Sequence, residues 1–165
     1  MKQDIIEVRE DLSLIVRQAV EEAFNTMLQQ AVLAGRRTQA TTEQDQNEVV
    51  QVSVKLHHGP TTIEFHFKFD MQLLMQAALL VFTPEYIANN AIHEDIGCEI
   101  VNIVCHKVKA YLNEEGYFTE MGFPYVPEPG AMRQDSKGEF VQMYFFYRDK
   151  GAQQKIGVAV DSCVV

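Results

Sequence analysis

The chain has 165 residues, the size of one domain, with 47% hydrophobic and 22% charged side chains; disordered, collagen-like and low-complexity proteins have other compositions. Twenty-three acidic residues against 14 Lys and Arg leave a formal charge of -9, which repels phosphate backbones and anionic membranes unless a local basic patch overrides it. The basic doublet Arg36-Arg37 lies close to Glu43, Asp45 and Glu48, so neither nucleic acid nor membrane is an expected partner.

The first ten residues are too charged for the apolar core of a secretory signal. The longest apolar run, 73–82, is interrupted by Gln76 and falls far short of the ~20 residues of a membrane span. Cys98 and Cys105 are seven apart, about 10 Å along a helix, which is beyond disulfide reach. Three cysteines without a Cys-x-x-Cys pair read as reduced thiols of a cytoplasmic protein.

Within residues 4–34, Ile5, Val8, Leu12, Ile15, Val16, Ala19, Val20, Ala23, Phe24, Met27 and Leu28 recur at three- and four-residue steps. That period lays one apolar stripe along a long helix, with Gly35 as its stop. Residues 36–47 are polar, rich in Gln and Thr, and predict a flexible surface linker. The period then changes. Val50, Val52, Val54 and Leu56 alternate with polar residues, as do Ile63, Phe65, Phe67 and Phe69 after His58-Gly59-Pro60, which predicts an antiparallel hairpin with one buried face.

Asp70 is placed to cap a short helix over 71–82. Thr83-Pro84-Glu85 is a second helix start, and helical pattern continues, with a break near Asn89-Asn90, to Glu115 and a stop at Gly116. Residues 117–130 carry Pro124, Pro127 and Pro129 and suit an edge strand or an extended loop. Strands follow around Val141, Tyr144, Phe145 and Tyr147 and around Ile156, Val158 and Val160, with a turn at 149–152. The expected fold class is α+β in a single domain over 1–165. Its mostly antiparallel sheet combines the hairpin with a C-terminal three-strand meander, packed with the long N-terminal helix and a long central helix.

The central helix carries the most informative pattern. At about 100° per residue, Asp95, Glu99, Asn102 and His106 fall within roughly 60° of one another, opposite Ile100, Val104, Val108 and Tyr111. An amphipathic helix always has a polar face. Asn, however, is a poor helix-interior residue, and Glu and Asn three residues apart can act together on one small object.

Asp95-x3-Glu99-x2-Asn102, followed by Pro124 in an extended segment, resembles the signature of the CheC/CheX/FliY phosphatases of bacterial chemotaxis. The order of elements is similar too, and the single copy of the Glu-x2-Asn helix makes the chain most similar to the CheX branch. The resemblance spans most of the chain outside the polar linker. It implies a protein-aspartyl-phosphate phosphatase acting on a phosphorylated CheY-like response-regulator receiver domain. Asn102 would orient the attacking water and Glu99 would dock the receiver, with Asp95 and His106 at the periphery of the site. It implies no cofactor of the protein's own, because the receiver supplies the Mg ion, and it implies a homodimer, to which apolar C-terminal strands in need of a covered edge also point. The turn after Asn102, Ile103-Val104-Cys105-His106, is bulkier than the small-residue turn of that family. It motivates an alternative, a non-catalytic receiver-binding or dimeric scaffold protein.

Other constellations carry less. His57, His58 and His66 on the hairpin lack the spacing of a helix pair or a Cys/His knuckle, and a metal-binding module built on them is the third reading; no metal is expected. Cys105 and His106 are adjacent on a helix and point about 100° apart, so they form no nucleophile pair. The run Met143-Tyr144-Phe145-Phe146-Tyr147 suits a sheet core and a dimer contact better than a base-stacking platform.

Overall fold

The computed structural model describes residues 9–27, 33–35, 48–128, 139–148 and 154–165. In chain order the elements are α1 (Arg9–Met27), β1 (Leu33–Gly35), β2 (Val49–His58), β3 (Thr61–Asp70), α2 (Met71–Leu79), α3 (Pro84–Asn89), α4 (His93–Glu114), β4 (Glu120–Met121), β5 (Glu139–Arg148) and β6 (Gln154–Val164). Six strands form one antiparallel sheet in the order β1-β5-β6-β3-β2-β4. The α+β class predicted from the pattern is the observed one.

The hairpin follows its alternation. Val50, Val52, Val54 and Leu56 of β2 stand opposite Phe69, Phe67, Phe65 and Ile63 of β3, and all eight are buried. Gly59 opens the two-residue turn at φ +56, a conformation that costs a side chain dearly and glycine little. On this face α1 buries Leu12, Ile15, Val16, Ala19, Val20, Ala23 and Phe24, with the Phe24 ring 6.3 Å from that of Phe69. α4 packs beside α1 and over β2, and α2 packs against α4.

Caps predicted from sequence hold. The Asp70 carboxylate accepts from Gln72 N–H at the start of α2, and Thr83 Oγ1 accepts from Tyr86 N–H ahead of Pro84. Helix α2 ends at Leu79, short of Phe82. The break near Asn89-Asn90 separates α3 from α4. Gly116, at φ +82, ends α4 as expected, and Tyr117 N–H reaches back to Leu112 C=O at 2.7 Å in the manner of a left-handed helix cap.

Two details depart from expectation. The third strand of the meander does not join β5 and β6: Glu120 and Met121 pair with His57 and Leu56 of β2 at the far edge, and Tyr125 bridges Ser53. Because α4 lies over β2, the chain leaving its C-terminus meets the open edge of β2 first, and a proline-broken segment is tolerated at an edge. Residues 33–35, expected at the end of the first helix, are a strand on Tyr144, Phe145 and Phe146 of β5. A short apolar run does not distinguish helix from strand by period. The outer edge of β5 is thus paired within the chain at Tyr144, Phe145 and Phe146. Residues 1–8, 28–32, the linker 36–47 and the turn 149–152 lie outside the described residues.

Phe145, Phe146 and Tyr147 are buried in succession, which strict alternation forbids. The register shift at this point sets Phe145 opposite Val158 and Phe146 opposite Ile156, so the extra residue is Gly157 of β6, which lies against Tyr147 and Leu73. Among the described residues no helix is long and apolar enough to cross a membrane.

Candidate functional site on the central helix

Helix α4 is seated by Gly97, Ile100, Val101, Val104, Cys105, Val108 and Leu112, all buried. At Gly97 the seat is closest: a Cβ there would lie 3.1 Å from Val52 Cγ2 and 3.5 Å from Val50 Cγ1, so the glycine brings the first half of α4 down onto β2. Of the four residues expected on the anchored face, Ile100, Val104 and Val108 are buried. Tyr111 is half-buried and turns to α1, where its hydroxyl meets Glu22. A phenol placed between sheet and helix goes where an acceptor satisfies it.

On the outward flank Asp95, Glu99 and His106 are exposed and Asn102 is half-buried. The helix brings all four to one strip, with the β-carbons of Glu99 and Asn102 about 5–6 Å apart, as residues three apart on a helix are. Among the described residues the side chains of Glu99 and Asn102 make no hydrogen bond or ion pair. An exposed carboxylate next to a half-buried amide can grip a cation while presenting both a donor and an acceptor to a small oxyanion or a water.

The bulk of the turn after Asn102 is mostly hidden. Val104 and Cys105 point into the core, Ile103 is half-buried, and His106 alone stands exposed one turn beyond Asn102. Cys98, half-buried beside the strip, has its thiol pushed up first by burial and then by the carboxylates of Asp95 and Glu94. Burial pushes the Cys105 thiol up to about 12. Neither is a thiolate nucleophile near neutral pH. The three cysteines are free. Near the start of α4 the chain also exposes Leu79, Leu80, Val81 and Tyr86, an apolar group that no periodicity marked out in advance.

No protein-family model and no curated protein matches the chain. Solved structures do match in shape. The chemotaxis protein CheX from Vibrio vulnificus superposes with a TM-score of 0.70 at 17% identity, covering 96% of this chain and 99% of that one. A CheC-like superfamily protein from Shewanella sp. PV-4 gives 0.67 at 15% identity, covering 94% and 97%. The CheX–CheY–BeF3–Mg complex from Borrelia burgdorferi gives 0.57 at 14% identity, covering 99% of both chains. The chain has the CheX/CheC-like fold.

Proposed function

We propose that the protein is a phosphatase of aspartyl phosphate on a CheY-like receiver domain, working from the outward flank of α4. The observation that carries this reading is the pairing of exposed Glu99 with half-buried Asn102 on a helix whose other side is locked into the core. The likeness in fold to a CheX solved with CheY, beryllofluoride and Mg supports the choice of partner.

An aspartyl phosphate is an acyl phosphate already polarised by the receiver's own metal. What it lacks is a water held in line with the bond to be broken, and that is a matter of positioning. The Asn102 amide accepts from the water through its oxygen and donates to a phosphoryl oxygen through its nitrogen. The water oxygen bonds to phosphorus, the bond from phosphorus to the carboxylate breaks, and the proton leaves with the inorganic phosphate. Glu99 docks the receiver by pairing with a lysine at its phosphorylation site. Asp95 extends the acidic rim.

The test is phosphate loss from receivers of the host, each followed alone and with this protein. Faster loss from one of them is the expected result, and unaltered loss from every one rules the activity out. Exposed His106, one turn beyond Asn102, favours a second reading in which the same flank binds a receiver without catalysis. Binding to a phosphorylated receiver with no gain in its dephosphorylation is the result that selects it.

A further inference from the structure

The alternation that turns Phe65 and Phe67 toward the helices turns Glu64 and His66 to the opposite face of the sheet. There the register sets Glu64 opposite Cys163 and His66 opposite Asp161, with Ser53 on the other side of His66. One ligand atom from each of Glu64, His66 and Cys163 lies within 4.8 Å of the others. His66 Nε2 is 4.0 Å from Cys163 Sγ, and His66 Nδ1 is 2.7 Å from Ser53 Oγ. The Tyr125 hydroxyl donates to Glu64 Oε1. His66 and Cys163 are buried, at 8% and 4% exposure, and Glu64 is half-buried.

We propose that Glu64, His66 and Cys163 are a binding site for a divalent transition metal, with zinc the best match to their chemistry. Thiolate, imidazole and carboxylate together suit zinc, whereas magnesium and calcium take oxygen ligands. Zinc bonds of about 2.0–2.3 Å in a tetrahedron set sulfur and nitrogen about 3.5 Å apart, so the observed 4.0 Å closes by roughly half an ångström through small side-chain rotations. The surroundings orient the ligands as metal sites require. In the Nδ1–H tautomer of His66 the Ser53 hydroxyl accepts from Nδ1–H, which leaves the Nε2 lone pair toward Cys163, while Tyr125 steadies the carboxylate. On binding, the Cys163 thiol forms a bond from sulfur to the metal and releases its proton to solvent. A water takes the fourth position. Ser53 is fully buried, so a serine–histidine nucleophile at the same place has no approach for a substrate. The sheet and α4 separate this site from Glu99 and Asn102, and the proposal does not rest on the phosphatase reading.

Cobalt is the probe, added as Co2+ to the metal-free full-length protein. The expected result is one cobalt per chain with a thiolate-to-cobalt charge-transfer band, bleached by zinc, lost in Cys163→Ser and kept in Cys98→Ser. Glu64→Gln, at a half-buried position, is expected to keep the band and weaken cobalt binding at least tenfold. No band at saturating cobalt overturns the proposal, as does a band that survives Cys163→Ser. Should Cys163→Ser fail to fold by circular dichroism, unaltered affinity in Glu64→Gln overturns it instead.

Discussion

The Tyr111 hydroxyl of α4 sits between the two carboxylate oxygens of Glu22 on α1, at 2.8 and 2.9 Å, and Lys107 Nζ stands 3.4 Å from the same carboxylate. This polar clasp joins the two long helices on the edge of the core and fixes the rotation of α4, on which the outward strip depends. Tyr111→Phe is expected to cost about 1 kcal/mol in urea unfolding, the net worth of such a bond. Lys107→Ala should cost under about 0.5 kcal/mol, because its pair with Glu22 is solvated. The hydrogen bond to Glu22, then burial, raises the Tyr111 pKa above its ordinary value. A raised pKa gives stability that is complete below the unfolded value near 10 and lost as pH climbs past it, so the gap between parent and Tyr111→Phe should narrow above pH 10.

Gly157 is a packing position. A Cβ added there would stand 2.6 Å from Leu73 Cδ2 and 2.9 Å from Tyr147 Cδ1, and both side chains are themselves buried. Gly157→Ala should therefore destabilise the fold by roughly 1–3 kcal/mol, read as a lower urea midpoint. An unchanged midpoint means that Leu73 and Tyr147 have room to move.

The carboxylate of Asp70 serves two partners from a buried position: Oδ1 caps α2 through Gln72 N–H at 3.4 Å, and Oδ2 accepts from the Tyr147 hydroxyl at 2.5 Å. Asp70→Ala removes both, at about 1 kcal/mol for the cap and about 1–3 kcal/mol for the buried bond to a charged acceptor. Tyr147→Phe should recover only the second part. A double variant no worse than Asp70→Ala would show that the two residues act through each other.

Local signals made much of this fold legible. The hairpin could be read because its alternation and its Gly59-Pro60 turn lie within twenty-odd residues, and the capping roles of Asp70 and Thr83 because a cap acts on the next turn of its own helix. The strip of Glu99 and Asn102 could be read because helical phase is local as well. Pairings across the chain were not legible. Nothing in 117–130 says that Glu120 and Met121 will choose the edge of β2, or in 33–35 that three small and apolar residues will pair with β5. Tyr111 joined the wrong partner in the reading by period, since its acceptor, Glu22, is 89 residues away. Glu64 and His66 share a face by alternation alone, but Cys163 reaches them only through the register of β3 with β6. His57 shares that face too, yet it pairs with Thr62 while His66 pairs with Ser53, about 13 Å along the strand, so the hairpin histidines do not meet.

Cys105 faces a small apolar cavity between α1, α4 and the sheet, lined in part by Val54, Phe67 and Val104. Burial holds its thiol protonated, at about 12 against an ordinary 9.0. At pH 8 an aromatic disulfide reagent should label half-buried Cys98 well before Cys105 in the folded protein, with all the thiols labelled after unfolding. Because the folded value is raised, the contribution is complete below pH 9 and declines between 9 and 12 by about 1.4 kcal/mol per unit. Cys105→Ala should therefore lose its deficit relative to the parent across that window.

If the flank of α4 hydrolyses aspartyl phosphate, its two polar residues should fail differently. Asn102 acts only while water attacks, so Asn102→Ala should lower the rate at saturating receiver by about 10²-fold and leave the receiver concentration at half-maximal rate nearly unchanged. Asn102→Asp keeps an acceptor for the water but sets a negative charge against the phosphoryl oxygens, and should do no better. Glu99 holds the receiver before and during the reaction, so Glu99→Gln should raise the half-maximal concentration about tenfold with the maximal rate largely kept. That loss should shrink in high salt, because a solvated charge pair is screened. Both side chains point away from the core, so all three variants should unfold at the parent's urea midpoint. Equal loss of rate and affinity from either substitution would mean that the two residues work as one docking surface and that the attacking water is placed by the receiver alone.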